Sequence, residues 1–161
     1  MDLSLREITR DTVRAVCQLD AGDGGRQVAP NSVSIAQAYF QDEAWFRAIY
    51  LDEEPVGFVM LYDPTLTATP EEHRFFLWRL MIDKMHHRKG LGAAAVRLLA
   101  DHVRTRPGAR QLFVSHVRGE DALGRFYSGL GFRYTGAEED GELVMALDVT
   151  ACASRPSSGA C

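Results

Sequence analysis

The sequence predicts an α+β fold of the three-layer α/β kind, a central sheet flanked by helices. Two patterns carry that prediction. Short runs rich in β-branched and aromatic residues alternate with stretches of helical apolar spacing, and Gly, Pro, Asn and Asp separate them at the expected joints. The resulting order is β-α-α-β-β-β-α-β-α-β-β, with no internal repeat. A chain of 161 residues with 46% hydrophobic content has enough apolar material for the core of one domain, expected over residues 1–149.

Leu3, Leu5 and Ile8 make a short opening strand. Thr9 or Asp11 is expected to cap a helix carrying Val13, Val16, Cys17 and Leu19, which ends in the loop Ala21-Gly22-Asp23-Gly24-Gly25. After Pro30, Asn31 or Ser32 caps a second helix running to Phe40. Strands are predicted at Trp45–Leu51, Pro55–Tyr62 and Arg74–Asp83, the first two joined by the acidic turn Asp52-Glu53-Glu54. Gly90 to Arg104 reads as a helix with Leu91, Ala95, Leu98, Leu99 and Val103 on one side, ended by Pro107-Gly108. Gln111–Val117 is a strand, Glu120–Leu130 a helix, and Phe132–Gly136 with Glu142–Val149 a final strand pair. From Thr150 onward Ser, Ala, Pro and Gly dominate, and residues 150–161 are expected to form a disordered tail.

Composition narrows the partners. A formal charge of −4 gives no ground for nucleic acid binding, while a mildly acidic surface suits cationic small molecules. The cysteines Cys17, Cys152 and Cys161 fit no zinc spacing, and an odd count argues against a disulfide framework. No metal is expected, His73, His86, His87 and His102 having no partners at ligand spacing. No apolar run approaches a membrane span, the polar start Met1-Asp2-Leu3-Ser4 is no signal peptide, and a cytoplasmic setting is expected.

The most informative tract is the strand Arg79-Leu80-Met81-Ile82-Asp83 followed, after a short loop, by His87-Arg88-Lys89-Gly90-Leu91-Gly92-Ala93 at a helix start. A helix start exposes unpaired N–H groups and a partial positive charge. Glycines there let a pyrophosphate approach the backbone, and Arg88 and Lys89 add charge. Read alone, the two glycines equally describe a tight strand-to-helix turn. The tract is not a P-loop, because no Lys-Ser/Thr follows the second glycine.

This region resembles the acetyl-CoA motif Q/R-x-x-G-x-G/A of the GNAT superfamily of N-acetyltransferases, with His87 in the Gln/Arg position. Downstream, Leu123-Gly124-Arg125-Phe126-Tyr127-Ser128-Gly129-Leu130-Gly131-Phe132 is similar to that family's A-x-x-L-Y-x-x-x-G-F signature, with Leu123 for the usual Ala and Glu120 where many members carry Asn. The resemblance spans about residues 3 to 149 and implies a mixed, mostly antiparallel central sheet. It also implies acetyl-CoA as donor, held by Met81 and Ile82 at its pantetheine arm and by His87, Arg88, Lys89, Gly90, Leu91, Gly92 and Ala93 at its pyrophosphate. Tyr127 is then the acid for the departing thiolate. The tracts Gln27–Asn31, Trp78–Asp83 and Asp140–Met145 look closest to the diamine and spermidine acetyltransferase branch. Dimers are common among similar proteins, which makes a homodimer an expectation by resemblance.

The chemistry sets its own demands. An alkyl amine of pKa near ~10.4 is neutral in roughly one molecule in 2,500 at pH 7, a deficit of about 4.6 kcal/mol. A base, a water chain or a pocket that depresses the amine's pKa must make that good. Holding both substrates together contributes up to roughly 7–11 kcal/mol, so direct attack in a ternary complex suffices and no nucleophile is required. His116, at the end of its strand, titrates in the useful range and is one candidate base. Glu71 and Glu72, preceding the strand that carries the donor, are others. Each also reads as a solvated surface residue, and Tyr127, apart from the resemblance, as a core residue beside Leu123, Phe126 and Leu130.

Acceptor contacts are expected at Gln27, Asn31, Glu72 and Trp78, with Trp45 a second candidate aromatic wall; both tryptophans also fit a plain core role. The function expected is N-acetyl transfer from acetyl-CoA to a primary amine, a polyamine or other small cation. The alternatives are an antibiotic or protein amine as acceptor, or a GNAT-like module that binds acyl-CoA without turnover.

Overall fold

The computed structural model describes residues 2–24 and 28–150. The tail expected at 150–161 therefore lies outside the described residues beyond Thr150, as does Gln27. Seven strands form one sheet: β1 (Leu3–Arg6), β2 (Ala44–Leu51), β3 (Glu54–Tyr62), β4 (Phe75–Ile82), β5 (Gln111–Val117), β6 (Arg133–Glu139) and β7 (Glu142–Asp148). Their spatial order is β1-β2-β3-β4-β5-β7-β6. The helices are α1 (Val13–Cys17), α2 (Asn31–Tyr39), α3 (Leu91–Arg104) and α4 (Asp121–Gly129). Every strand pair is antiparallel except β4–β5, which α3 joins as a crossover. The expected mixed, mostly antiparallel sheet flanked by helices is what the chain forms.

Helices cover both faces, so the sheet is buried twice. Ile49, Val59, Leu61, Leu77, Leu112 and Met145 point to the α3 and α4 side, where Val96, Leu99 and Val103 meet them. Ala48, Tyr50, Phe58, Met60 and Met81 point to the α1 and α2 side against Val16. In the middle of the sheet β3 is buried along nearly its whole length, since residues of both parities find a core.

Local signals mostly placed the elements, and the departures have physical causes. Neither Thr9 nor Asp11 caps α1. The Thr12 hydroxyl instead accepts from the Thr9 N–H at 2.9 Å, which starts the helix at Val13, and Leu19 falls beyond its five residues. Asn31 opens α2 from inside, behind an N-cap Pro30, because its side chain is used elsewhere. β6 continues past Gly136 to Glu139 through an irregularity between Tyr134 and Glu138, where Gly136 takes φ +88°. A glycine that reads as the end of a strand is here part of a bulge. The hairpin then closes on Asp140-Gly141, both at positive φ, as a type I′ turn requires.

One close approach depends on a missing side chain. Gly57 on β3 lies opposite Ile82, and a Cβ added there would stand 2.4 Å from the Met81 carbonyl oxygen and 2.9 Å from Ile82 Cδ1. Backbone cannot yield as a flexible side chain can. Gly57→Ala is therefore expected to lower stability by about 1–3 kcal/mol, read as a reduced denaturant midpoint at unchanged slope.

Candidate active site

β4 and β5 run side by side for two residue pairs only, Phe75↔Leu112 and Phe76↔Phe113, and then part. The cause lies on the other side of β4. Met60 pairs with Arg79 and Leu61 with Leu77, so Trp78 is one residue too many and forms a bulge, which bends and twists the strand. Arg79 secures that bend. Its Nη1 donates to the Trp78 carbonyl at 3.0 Å and its Nη2 to Gln37 Oε1 of α2 at 3.3 Å. Between the diverging strands opens a cavity of about 520 Å³, lined by β4 from Phe76 to Leu80, by β5 from Val114 to Val117, and by α4 through Leu123 and Tyr127. Val28 and Ala29 border it from the α1–α2 segment.

Beyond Phe76 the β5-facing edge of β4 has no strand partner, so its backbone groups are free for an extended ligand carrying amides. The stretch of β4 in the cavity is Phe76–Leu80, just upstream of the expected Met81 and Ile82. Met81 turns its side chain into the α1–α2 core. The Ile82 carbonyl accepts from His87 Nε2 at 2.8 Å, so His87 folds the following loop back on the strand.

That loop is built to present the start of α3. Asp83 accepts from the Met85 N–H at 3.0 Å and from the Asp20 N–H at 2.9 Å, turning the chain and tying it to the α1–α2 segment. Arg88 (φ 64°) and Gly90 (φ 73°) are both left-handed, and no side chain caps α3. Its first N–H groups are left for a ligand, with Arg88 and Lys89 exposed beside them. The two glycines serve different ends. Gly90 is needed for its conformation. Gly92 is not: a Cβ there would make only ordinary contacts, with Phe126 at 3.5 Å the nearest. The fold tolerates a side chain at 92, whereas a phosphate seated on these N–H groups does not. The residues present fit the diphosphate of acetyl-CoA.

Across the cavity, Tyr127 is 7% exposed, with its ring edge-on to Phe126 and Phe132. No hydrogen bond to the described residues ties down its hydroxyl, and burial raises the phenol to about 12. It stays protonated throughout the neutral range. His116 is 2% exposed and also borders the cavity, but both its nitrogens are taken. Nδ1 donates to the Val117 carbonyl at 2.9 Å, which leaves Nε2 to accept from the Tyr134 hydroxyl at 2.8 Å. In this tautomer His116 has no free lone pair for an acceptor amine.

Of the expected acceptor residues that are described, the cavity contains only Trp78, whose ring lies 5.0 Å from that of Tyr62. Asn31 is 2% exposed, donates from Nδ2 to the Val16 carbonyl at 2.8 Å, and borders a separate hollow of about 250 Å³. Glu72 is ion-paired to Arg74 outside the cavity. Trp45 is far from it, stacked on His102 at 4.0 Å beneath Arg47. Sequence reasoning missed three cavity residues, Arg79, Ser115 and Glu142. They come from three strands distant in sequence, and their only local signal was a polar residue within an apolar strand.

A family model describing the acetyltransferase (GNAT) family matches residues 14–132. The chain belongs to that family. It is an acetyl-CoA-dependent N-acetyltransferase, with acetyl-CoA as donor. Solved structures share the fold at low identity. The aminoglycoside acetyltransferase AAC(6')-Ib in complex with coenzyme A is 19% identical over 91% of this chain and 95% of that one, with a TM-score of 0.72. The ribosomal-protein-S18-alanine N-acetyltransferase of Escherichia coli is 15% identical over 98% and 100%, at 0.67. The PaiA N-acetyltransferase of Thermoplasma acidophilum, in complex with coenzyme A, is 13% identical over 92% and 99%, at 0.64. No curated protein matches the chain. Among the described residues, no helix is long and apolar enough to cross a membrane.

Gly92→Val tests the diphosphate cradle. It is expected to fold with an unchanged melting temperature and to lose coenzyme A affinity by at least tenfold in calorimetry. Full affinity in the folded variant would move the phosphates elsewhere.

Proposed function

We propose that this acetyltransferase, acting in the cytoplasm, acetylates a primary amine of a small cationic molecule of the polyamine type by direct attack in a ternary complex. The observation that carries the reading is the single cavity in the β4–β5 cleft, which holds the free edge of β4, the unpartnered Tyr127 hydroxyl and the aromatic and acidic groups Phe76, Trp78, Glu120 and Glu142. Aromatic faces and carboxylates are what a desolvated ammonium requires.

Acetyl-CoA supplies the activated thioester when bound. The α3 N-terminus with Arg88, Lys89 and Gly92 holds its diphosphate, and the β4 edge receives its amides. Orientation is thereby set by backbone, which is the stiffest part of the site. Tyr127, buried beside the cleft, keeps its proton for the departing sulfur. The desolvation that raises the phenol also acts against a thiolate in the same pocket, so the two shift together.

Acetyl-CoA consumption measured against polyamines, aminoglycosides and peptides tests the acceptor class. Polyamines are expected to give the highest kcat/KM, and a peptide exceeding every polyamine would refute it. Tyr127→Phe removes one oxygen and no hydrogen bond to the described residues. Its kcat is expected to fall by roughly 10²–10⁴-fold, with coenzyme affinity and melting temperature kept. The loss should shrink with a donor whose thiol has a lower pKa. Because the phenol lies near 12, it should add no descending limb to the pH profile of kcat below about pH 11. A stable variant with normal kcat would remove Tyr127 from the chemistry.

A further inference from the structure

We infer that Glu142 is the residue that receives the acceptor's ammonium group and takes its proton, with Ser115 as its positioning residue. The inference rests on the amine-transfer reading above and names the base of that reaction.

On β5, Leu112, Val114 and His116 are buried towards α3 and α4, so Ser115 and Val117 stand on the opposite, α1–α2 face. β7 pairs with β5 so that Glu142 lies opposite Val117, and the Ser115 hydroxyl donates to Glu142 Oε2 at 3.2 Å. The carboxylate therefore belongs to the α1–α2 face of the cleft, with Trp78, Arg79, Val28 and Ala29. Tyr127 enters the same cavity from the α4 face. A thioester lying in the gap would have an acid on one face and a base on the other, the arrangement in which an amine attacks from one side while sulfur leaves protonated on the other.

Four of the competing groups are committed. His116 has no free lone pair. Glu139, the cross-strand neighbour of Glu142, is bound to Arg74. Arg118 is paired with Glu138. Arg79 is a cation and holds the bulge. Glu120, the N-cap residue of α4, lines the cavity as well but lacks the cross-strand hydroxyl that fixes the carboxylate of Glu142. Glu142 keeps one oxygen without a hydrogen-bond donor or cation from the described residues, and it lines the same cavity as the buried, unpartnered Tyr127 hydroxyl.

In the step, an N–H bond of the ammonium breaks as an O–H bond forms on Glu142. The freed lone pair makes the new C–N bond while the C–S bond breaks. Sulfur takes the Tyr127 proton, the second amine proton restores the phenol, and Glu142 returns its proton to solvent. In bulk water a carboxylate of pKa ~4.3 is a weak base for an ammonium of ~10.4. C–N bond formation draws the transfer forward, because the acylated nitrogen is no longer basic.

The test uses the full chain and E142Q, which keeps size and hydrogen bonding but cannot take a proton. For a primary alkylamine, kcat/KM is expected to fall roughly 10²–10⁴-fold. Calorimetric coenzyme A affinity and melting temperature should not change. With an aniline, already neutral at the assay pH, the loss should shrink to a few-fold. S115A frees the carboxylate to turn away and should slow the alkylamine more than the aniline, and E142D should recover part of the rate. E142Q within threefold of wild type, or an equal loss for alkylamine and aniline, overturns the inference while leaving amine transfer intact. A wild-type protein that consumes no acetyl-CoA with any amine overturns the transfer reading, and this inference with it.

Discussion

β4 and β5 share two residue pairs before they separate, and nearly everything functional follows from where that pairing stops. A parallel pair could have continued along the rest of β5, which would have filled the gap with backbone hydrogen bonds and left no cavity. The extra residue at Trp78 prevents this by bending β4 away. Arg79 then holds the bend from the α2 side through the Trp78 carbonyl and Gln37. The cost is a row of unpaired backbone groups in the middle of a sheet, where they would normally be satisfied. Such groups make sense where a ligand completes the sheet, and an extended chain of amides is the ligand that does so.

The rest of the molecule stiffens the two sides of the gap. On one side, Asp83 and Lys84 tie the loop before α3 to the α1–α2 segment through Asp20, with bonds of 2.8–2.9 Å. On the other, α4 sits close over β5 and β6 because Gly124 lacks a side chain; a Cβ there would meet the Tyr134 hydroxyl at 2.3 Å and His116 Nε2 at 3.2 Å. The pair His116–Tyr134 thus acts as a polar spacer beneath the helix that carries Tyr127. Its two hydrogen bonds satisfy a histidine that is otherwise shut off from water. A titratable residue at the edge of an active cavity is easily taken for a base. Here the bonds it makes give it a structural task.

How far the sequence was legible divides along the same line. All eleven helices and strands were readable, because apolar period, caps and turn residues act within a few positions of one another. The tract expected to hold the phosphates is equally local: strand, loop and helix start are contiguous, and Gly90 and Gly92 sit at fixed offsets within them. Tyr127 stood out by its spacing from Gly131-Phe132. The errors fell where a local signal had a competitor. Thr12 displaced Thr9 and Asp11, Asn31 turned inward to Val16, and Gly136 shaped a bulge instead of a strand end.

By itself the sequence determined the order of elements, the two-faced burial of the sheet and the family whose donor motif it carries, since each of these is written in runs of neighbouring residues. Tertiary structure alone decided which residues share the cleft. The pairing of β5 with β7 brings Ser115 to Glu142, twenty-seven positions apart, and the bulge turns Trp78 and Arg79 into the same space. It also decided that His116 is bound on both nitrogens and that Glu72 and Trp45 lie elsewhere. Strand order and register are properties of long-range pairing, and a one-residue change in either moves a side chain to the opposite face of the sheet. No window of sequence contains that information, so the set of residues lining the cleft became visible only once the strands were placed side by side.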